Sequence, residues 1–375
     1  MLLYIHVPFC RRKCHYCAFF SLPHSADLES SYLRALTSEI NFRGHQLKDR
    51  KFFSVYIGGG TPTLLSVSSL KKIVKKVRSS FCLNKNIEFT IEANPETIKD
   101  PNYLSALRSL RINRVSLGIQ CLDDEILHVL GRKHTSTEAV RSVRMLQDAG
   151  FENLSIDLIW GLPGQSLKMW MQDLRTVVKL SPKHISCYGL SIEPGTLLGH
   201  QLEQEQLELP EEHFQAKMYV HGAEYLESES FLQYEVSNFS RMGYVCLHNT
   251  GYWEGRDYIG LGPSAVSCAD GFRWKNPSSL DDYAALTQDS FSGLEKEDLG
   301  HEIWIREKIM LSLRTAKGLN LKEYRQWTGH DFCRRFGSLL KALHSRNLIR
   351  MANGHVRLTK NGMLVSNSII ERFIF

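Results

Sequence analysis

The chain has 375 residues, 43% of them hydrophobic and 23% charged, which are globular proportions that exclude extended disorder and fibrous repeats. At roughly 150 residues per domain, the length sets a prior of two to three domains. The 46 basic and 40 acidic residues leave a net charge of +6, spread without a lysine or arginine tract, too mild a bias to argue for nucleic acid. No run approaches the roughly 18 consecutive apolar residues of a membrane span. The N-terminus, MLLYIHVPFC, lacks a basic segment followed by a long apolar one. These features predict a soluble cytoplasmic protein whose membrane contact is peripheral at most. Nine cysteines are too sparse for a disulfide scaffold, and an odd number cannot all pair.

In chain order, short β-rich runs alternate with segments of helical period up to residue 190, the pattern of a parallel sheet with crossover helices. Strands are expected at Leu2 to Val7, Ser54 to Ile57, Ile87 to Glu92, Arg114 to Ile119, Leu154 to Ile159 and His184 to Leu190. The intervening helices are expected at Leu28 to Phe42, Ser66 to Phe81, Asn102 to Leu110, Asp123 to Leu130 with Ser136 to Asp148, and Ser166 to Leu180. Six β/α units result. The polar and glycine-rich signatures follow these strands or end them, where barrel active sites are built, so one shared site at the top of a full or partial (β/α) barrel is predicted.

After residue 190 the rhythm changes. Pro210 to Ser228 reads as a helix, and Gln233 to Val236 and Ala265 to Phe272 as strands around an irregular, aromatic-rich loop. From Glu297 onward, Glu302 to Arg314 and Cys333 to Ser345 read as amphipathic helices, and LIRMANGHVRLT as a hairpin turning at Asn353-Gly354. Helices followed by a hairpin suggest a winged-helix-like module, and its mixed charge favours a packing or protein-contact role over DNA binding. The chain thus divides into a barrel core (1–190), an extension (191–296) and a C-terminal module (297–375).

Three cysteines fall within eight residues, at Cys10, Cys14 and Cys17, while the other six are scattered and read as small buried hydrophobes. Three thiolates can hold three irons of a [4Fe–4S] cluster and leave the fourth iron open. A structural zinc site with His6 or His15 as fourth ligand is the plainer alternative, but no second C-x₂-C pair accompanies the triplet. Gly58-Gly59-Gly60-Thr61-Pro62 directly follows a strand, and glycines there let the backbone approach a ligand closely, although the same run serves as a tight turn. Glu92, Gln120 and Asp157 end strands, where ionised acceptors suit ribose hydroxyls, and Arg132 could pair with a ligand carboxylate. Taken singly, each of these also fits a loop or capping role.

The triplet C-x₃-C-x₂-C preceded by YIHVPF, the GGGTP turn and those strand-end residues resemble the radical S-adenosylmethionine (SAM) enzymes of the oxygen-independent coproporphyrinogen III oxidase group. The resemblance continues through HISCYGLSIEPGT, QYEVSNF, HNTGYW and the C-terminal helical module. It implies a partial (β/α)6 TIM-like barrel. It also implies a [4Fe–4S] cluster on Cys10, Cys14 and Cys17, and S-adenosyl-L-methionine held by Tyr4, Tyr16, Gly59, Gly60, Thr61, Glu92, Gln120, Arg132 and Asp157. In this group, one-electron reduction of the sulfonium yields a 5′-deoxyadenosyl radical, and the protein orients the cofactor.

The true coproporphyrinogen dehydrogenases carry a further cysteine two residues after the third ligand, where this chain has Phe19. The chain also begins almost at the cluster loop, without their N-terminal arm. Both features resemble instead the heme chaperone branch of the group, which implies heme as cargo, delivery to apo-hemoproteins of respiratory type, and room for a homodimer. The segment from His248 to Trp253 matches that branch's H-N-x-x-Y-W motif. The match assigns His248 as a heme ligand, with Tyr252 and Trp253 as flat apolar surface. Without the resemblance, His248 reads as an ordinary loop histidine. Oxidative decarboxylation of coproporphyrinogen III is the alternative activity.

Overall fold

The computed structural model describes residues 1–374. Six strands appear where the apolar runs predict them: β1 (Leu2–Val7), β2 (Lys51–Gly59), β3 (Cys82–Ala93), β4 (Arg114–Gln120), β5 (Asn153–Trp160) and β6 (His184–Gly189). They pair in parallel in that order. The crossovers between them are α1 (Ala26–Gln46), α2 (Val67–Ser80), α3 (Pro101–Ser109), α4 (Asp124–Val129) with α5 (Ser136–Asp148), and α6 (Leu167–Lys179). Their starts are fixed locally, by Ser25, Ser66 and Ser166 side chains accepting from first-turn amides and by a Thr135–Glu138 capping box on α5.

After α7 (Leu197–Glu203) and α8 (Glu212–Ser228), the sheet gains β7 (Leu232–Gln233) and β8 (Asn238–Ser240) beside β6. Then α9 (Leu247–Trp253) leads to β9 (Tyr258–Leu261), which pairs in parallel with β1 as a seventh parallel strand. β10 (Val266–Ala269), β11 (Phe272–Lys275) and, after α10 (Leu280–Gln288), β12 (Glu297–Asp298) extend that edge antiparallel. The order β12-β11-β10-β9-β1-β2-β3-β4-β5-β6-β8-β7 leaves the two edges unpaired, so the barrel is partial.

Side chains alternate across each strand. One set, including Leu3, Ile5, Val55, Ile57, Phe89, Ile91, Val115, Leu117, Ile156 and Ile185, is fully buried beneath the crossover helices in one continuous core. The other set faces the barrel interior and is polar: Tyr4 and His6 from β1, Ser54 and Tyr56 from β2, and Glu88, Thr90 and Glu92 from β3. Arg114 and Ser116 of β4, Ser155 and Asp157 of β5, and His184 and Ser186 of β6 complete it. Most of these are also buried, which is why the strands do not read as amphipathic.

Past α11 (Gly300–Leu313), the chain forms α12 (Leu321–Thr328), α13 (Phe332–Arg335) and α14 (Gly337–Ser345). A small sheet follows in the order β13-β15-β14, from Leu319–Asn320, His355–Leu358 and Ile349–Ala352. These elements share a second core, which Phe332, Leu343 and Val356 help to fill, and α15 (Lys360–Leu364) and α16 (Ser366–Ile374) close it.

Four sequence expectations are corrected here. The segment expected as one strand, Ala265 to Phe272, is a hairpin broken by Asp270-Gly271, both at positive φ. The strand expected over Gln233 to Val236 is split, because Glu235 bridges instead to Thr315 of the C-terminal part. Cys333 to Ser345 is two helices meeting at Phe336, not one. The aromatic-rich loop carrying His248 is the helix α9, because Cys246 caps it and Glu88 of β3 accepts from the free amides of Leu247 (2.9 Å) and His248 (3.0 Å).

Candidate functional site

At the C-terminal ends of β1 to β4, the chain turns back on itself closely. Gly58, Gly59 and Gly60 end β2 under the cysteine loop. A Cβ on Gly58 would stand 2.9 Å from the Glu92 carboxylate, one on Gly59 2.7 Å from the His6 ring, and one on Gly60 2.5 Å from the Phe9 carbonyl and 3.0 Å from Cys10 Sγ. Gly59 also has φ of 111°, which side chains resist. The tight-turn and close-approach readings of this run are therefore both present, with no room left for side chains.

The loop from Cys10 to Cys17 lies over this turn with its three thiols half-buried and unpaired by disulfides. Burial pushes the Cys10 and Cys17 thiols up in pKa. Thr61 Oγ1 donates to Cys10 Sγ at 3.8 Å and accepts from Asn94 Nδ2 at 2.9 Å. Arg132 reaches Cys14 Sγ at 3.4 Å through Nη1, while its Nη2 donates to Asn94 Oδ1 (2.7 Å) and to the Gly118 carbonyl (2.5 Å). Nε of Arg132 is buried without a partner.

Among the described residues, no group of three His, Cys, Asp or Glu side chains is gathered for a single metal ion. A cubane instead takes one thiolate on each of three irons. Neither candidate imidazole joins the thiols. His6 is engaged at both nitrogens, by the Tyr4 hydroxyl (3.0 Å) and the Phe20 carbonyl (2.9 Å), and His15 Nδ1 lies 2.7 Å from the Val129 carbonyl. The spread thiols, the cation beside Cys14 and the glycine cradle beneath fit an anionic cluster with an open position.

The SAM candidates Glu92 and Gln120 stand at the ends of β3 and β4 beside the glycine turn, and Asp157 lies within neighbouring β5. Glu92 accepts from Tyr56 (2.8 Å) and from the Gly59 amide (2.9 Å), yet burial pushes its pKa up to about 7. Asp157 accepts from Ser116, Ser155 and Ser186 at 2.7–3.1 Å, and burial raises its carboxyl too. Gln120 adopts φ of 74° at a break in the β4–β5 register, which folds its amide back over Gly118. Tyr16 packs on the apolar cluster of Leu127 and Leu198. Phe19 is 68% exposed beyond the third cysteine. Asn94 and Tyr56 belong to this constellation and were missed in the sequence, although Asn94 follows Glu92 in the same IEANP segment.

His248 is placed elsewhere. It is buried inside the barrel, with Nδ1 2.8 Å from Ser54 Oγ and Nε2 3.1 Å from the Tyr252 hydroxyl, and burial lowers its pKa to about 3. Its ring lies 5.0 Å from that of Tyr56. Asn249 donates to Tyr234 and Glu235 (both 3.2 Å), and a Cβ on Gly251 would meet Leu2 at 2.7 Å. His248 thus stands on a helix and not in a loop. Most of the motif fastens α9 into the barrel, and neither ring nitrogen is free.

Residues 4–177 match the radical SAM superfamily model, and residues 301–365 match the HemN C-terminal domain. The heme chaperone HemW of Bacillus subtilis is 32% identical over 99% of this chain and 98% of its own. That of Escherichia coli is 31% identical over 99% and 97%.

The chain belongs to the HemW family of radical SAM proteins.

Among solved structures, the coproporphyrinogen III oxidase HemN of Escherichia coli, a radical SAM enzyme, superposes with a TM-score of 0.84 at 24% identity, covering 99% of this chain and 89% of that one. That likeness establishes the fold. Membership of the radical SAM superfamily carries with it a [4Fe–4S] cluster and SAM.

Proposed function

We propose that this protein is a heme chaperone. In this reading Cys10, Cys14 and Cys17 hold the cluster, and Tyr4, Tyr16, Gly59, Gly60, Thr61, Glu92, Gln120, Arg132 and Asp157 surround SAM. Heme is carried as cargo to apo-hemoproteins, respiratory ones foremost. The observation that carries this proposal is the end-to-end relationship to proteins named heme chaperone HemW at about one-third identity.

Phe19 supports it: an exposed phenyl ring after the third cysteine offers neither the thiol nor the proton of the cysteine found in the related dehydrogenases. The residues at the barrel top would divide their work as their chemistry suggests. The glycine backbone leaves room for the amino acid end of SAM, Arg132 balances thiolate charge, and the carboxylates of Glu92 and Asp157 meet hydroxyl donors. When bound, the cluster and SAM supply one-electron chemistry that these residues orient.

We take residues 1–190, 191–296 and 297–375 as barrel, extension and C-terminal module. A cytoplasmic location agrees with the lack, among the described residues, of any helix long and apolar enough to cross a membrane.

The test is anaerobic titration of the purified protein with heme, followed by transfer to a heme-free b-type cytochrome. Stoichiometric binding and transfer are expected, and failure of both refutes the proposal. Steady conversion of coproporphyrinogen III to protoporphyrinogen with reductant and SAM would establish the decarboxylase instead.

A further inference from the structure

Helix α9 has two working faces. His248 and Tyr252 point into the barrel and are hydrogen-bonded there. Thr250 and Trp253, three residues apart and so on one side of the helix, line a cavity of about 630 Å³ between the chain after β8 and the C-terminal module. The module contributes Lys317 and Trp327 to its wall, and Met242 contributes from the turn after β8.

Three observations say what this cavity is built to take. First, Thr250 Oγ1 and Trp253 Nε1 are buried there without a hydrogen-bond partner, so two polar groups await an acceptor. Second, Met242 lines the cavity and is 85% exposed, so its thioether is open to a ligand. Third, exposed Lys317 joins Arg241 and Lys308 in a mixed lining that also carries Glu254 and Glu323, so the cations outnumber the carboxylates beside the two indoles.

We propose that this cavity is the heme site, with Met242 Sδ as an iron ligand. The macrocycle lies against the indoles of Trp253 and Trp327, and its propionates meet Lys317 and the two unpartnered groups. The volume falls within the range of about 300–1,000 Å³ typical of cofactor sites. A thioether is an established axial ligand of heme iron, and carboxylates are matched by an ammonium and by neutral donors. The inference rests on the heme-chaperone reading and adds where the cargo sits and what holds its iron. It also gives the H-N-x-x-Y-W segment a part in heme binding that does not require His248 to leave the barrel.

The test titrates the full-length protein and two variants, Met242→Ala and Lys317→Glu, with heme and with iron-free protoporphyrin IX. Both positions are exposed, so the urea midpoint should match the wild type and show that folding is intact. Met242→Ala is expected to shift the Soret band and weaken heme about tenfold, as loss of one iron ligand would, while leaving protoporphyrin affinity unchanged. Lys317→Glu is expected to weaken both tetrapyrroles about tenfold by reversing the charge facing a propionate. A wild type that binds heme, with Met242→Ala unchanged in spectrum and affinity, overturns this site and leaves the chaperone reading standing. A wild type that binds no heme overturns both.

Discussion

His248→Ala separates a structural histidine from a free ligand without any heme in the tube. At neutral pH the substitution removes a buried ring and two hydrogen bonds, to Ser54 and Tyr252, and is expected to cost about 3 kcal/mol, within the range for truncating a large core side chain. The difference should then shrink with acid. The folded ring takes a proton only near pH 3, whereas the unfolded chain takes one at about 6.5. Below pH 6.5 the unfolded state therefore binds more protons, and the wild type loses roughly 1.4 kcal/mol per pH unit from this residue. By pH 4.5 about two units have passed and most of the gap has closed. Glu92 has the opposite sign: its folded pKa of about 7 lies above the unfolded value, so its contribution falls as pH rises from about 4.3 to 7. That term is common to both proteins and cancels in the difference. Urea midpoints of wild type and variant at pH 7, 5.5 and 4.5 provide the measurement. A gap that is absent at pH 7, or that stays constant down to pH 4.5, would refute the buried, neutral imidazole.

Other consequences follow from the same contacts. Alanine at Cys10, Cys14 or Cys17 should each abolish the cluster absorbance and reduce iron from about four per chain, measured anaerobically, with the urea midpoint nearly unchanged because the thiols are half-buried loop groups. Gly60→Ala should lower cluster occupancy with all three cysteines intact, because its Cβ would press on the Phe9 carbonyl and Cys10 Sγ; full iron content in that variant would contradict the cradle. Glu88→Ala should unfasten α9 by leaving two amides and the Cys246 thiol without their acceptor, a loss of about 2–4 kcal/mol read as faster hydrogen exchange across residues 247–253. Glu92→Gln keeps the shape but removes the carboxylate; SAM affinity by equilibrium dialysis should fall about tenfold, while the urea midpoint at pH 8 should rise because an ionised buried group is gone.

Much of this was visible in the sequence for a reason specific to barrels. β1 was placed residue for residue, and β4 and β5 within one residue at each end, because RVSLGI and SIDLIW are buried on both faces. Glu92 and Gln120 do stand at strand ends, since in a parallel barrel successive strands deliver their last side chains to one rim, whereas Asp157 lies three residues inside β5. What stayed hidden depends on pairings distant in sequence. YIGL is too short to be recognised as a strand, and becomes one only because Leu2 to Ile5 offer it an edge. The break that turns Gln120 over Gly118 likewise exists only against β5.

The H-N-x-x-Y-W motif, expected in a loop and found on a helix, shows most clearly that a motif's letters do not give its geometry. Its letters fix side chains, while its meaning depends on which faces of one short helix they occupy. His248, Asn249, Gly251 and Tyr252 are each accounted for by a barrel partner, Ser54, Glu235, Leu2 or His248 itself. Of the letters H, N, Y and W, only the last, Trp253, is left with an unanswered polar atom, and it shares its face with Thr250, which has another. If recognition of heme resided in His248, the barrel contacts would have to break each time cargo arrived, at the cost worked out above. If it resides on the Thr250–Trp253 face, α9 can stay docked while its outer side takes and releases a ligand, a mode of binding that suits a carrier better than unfolding its own core.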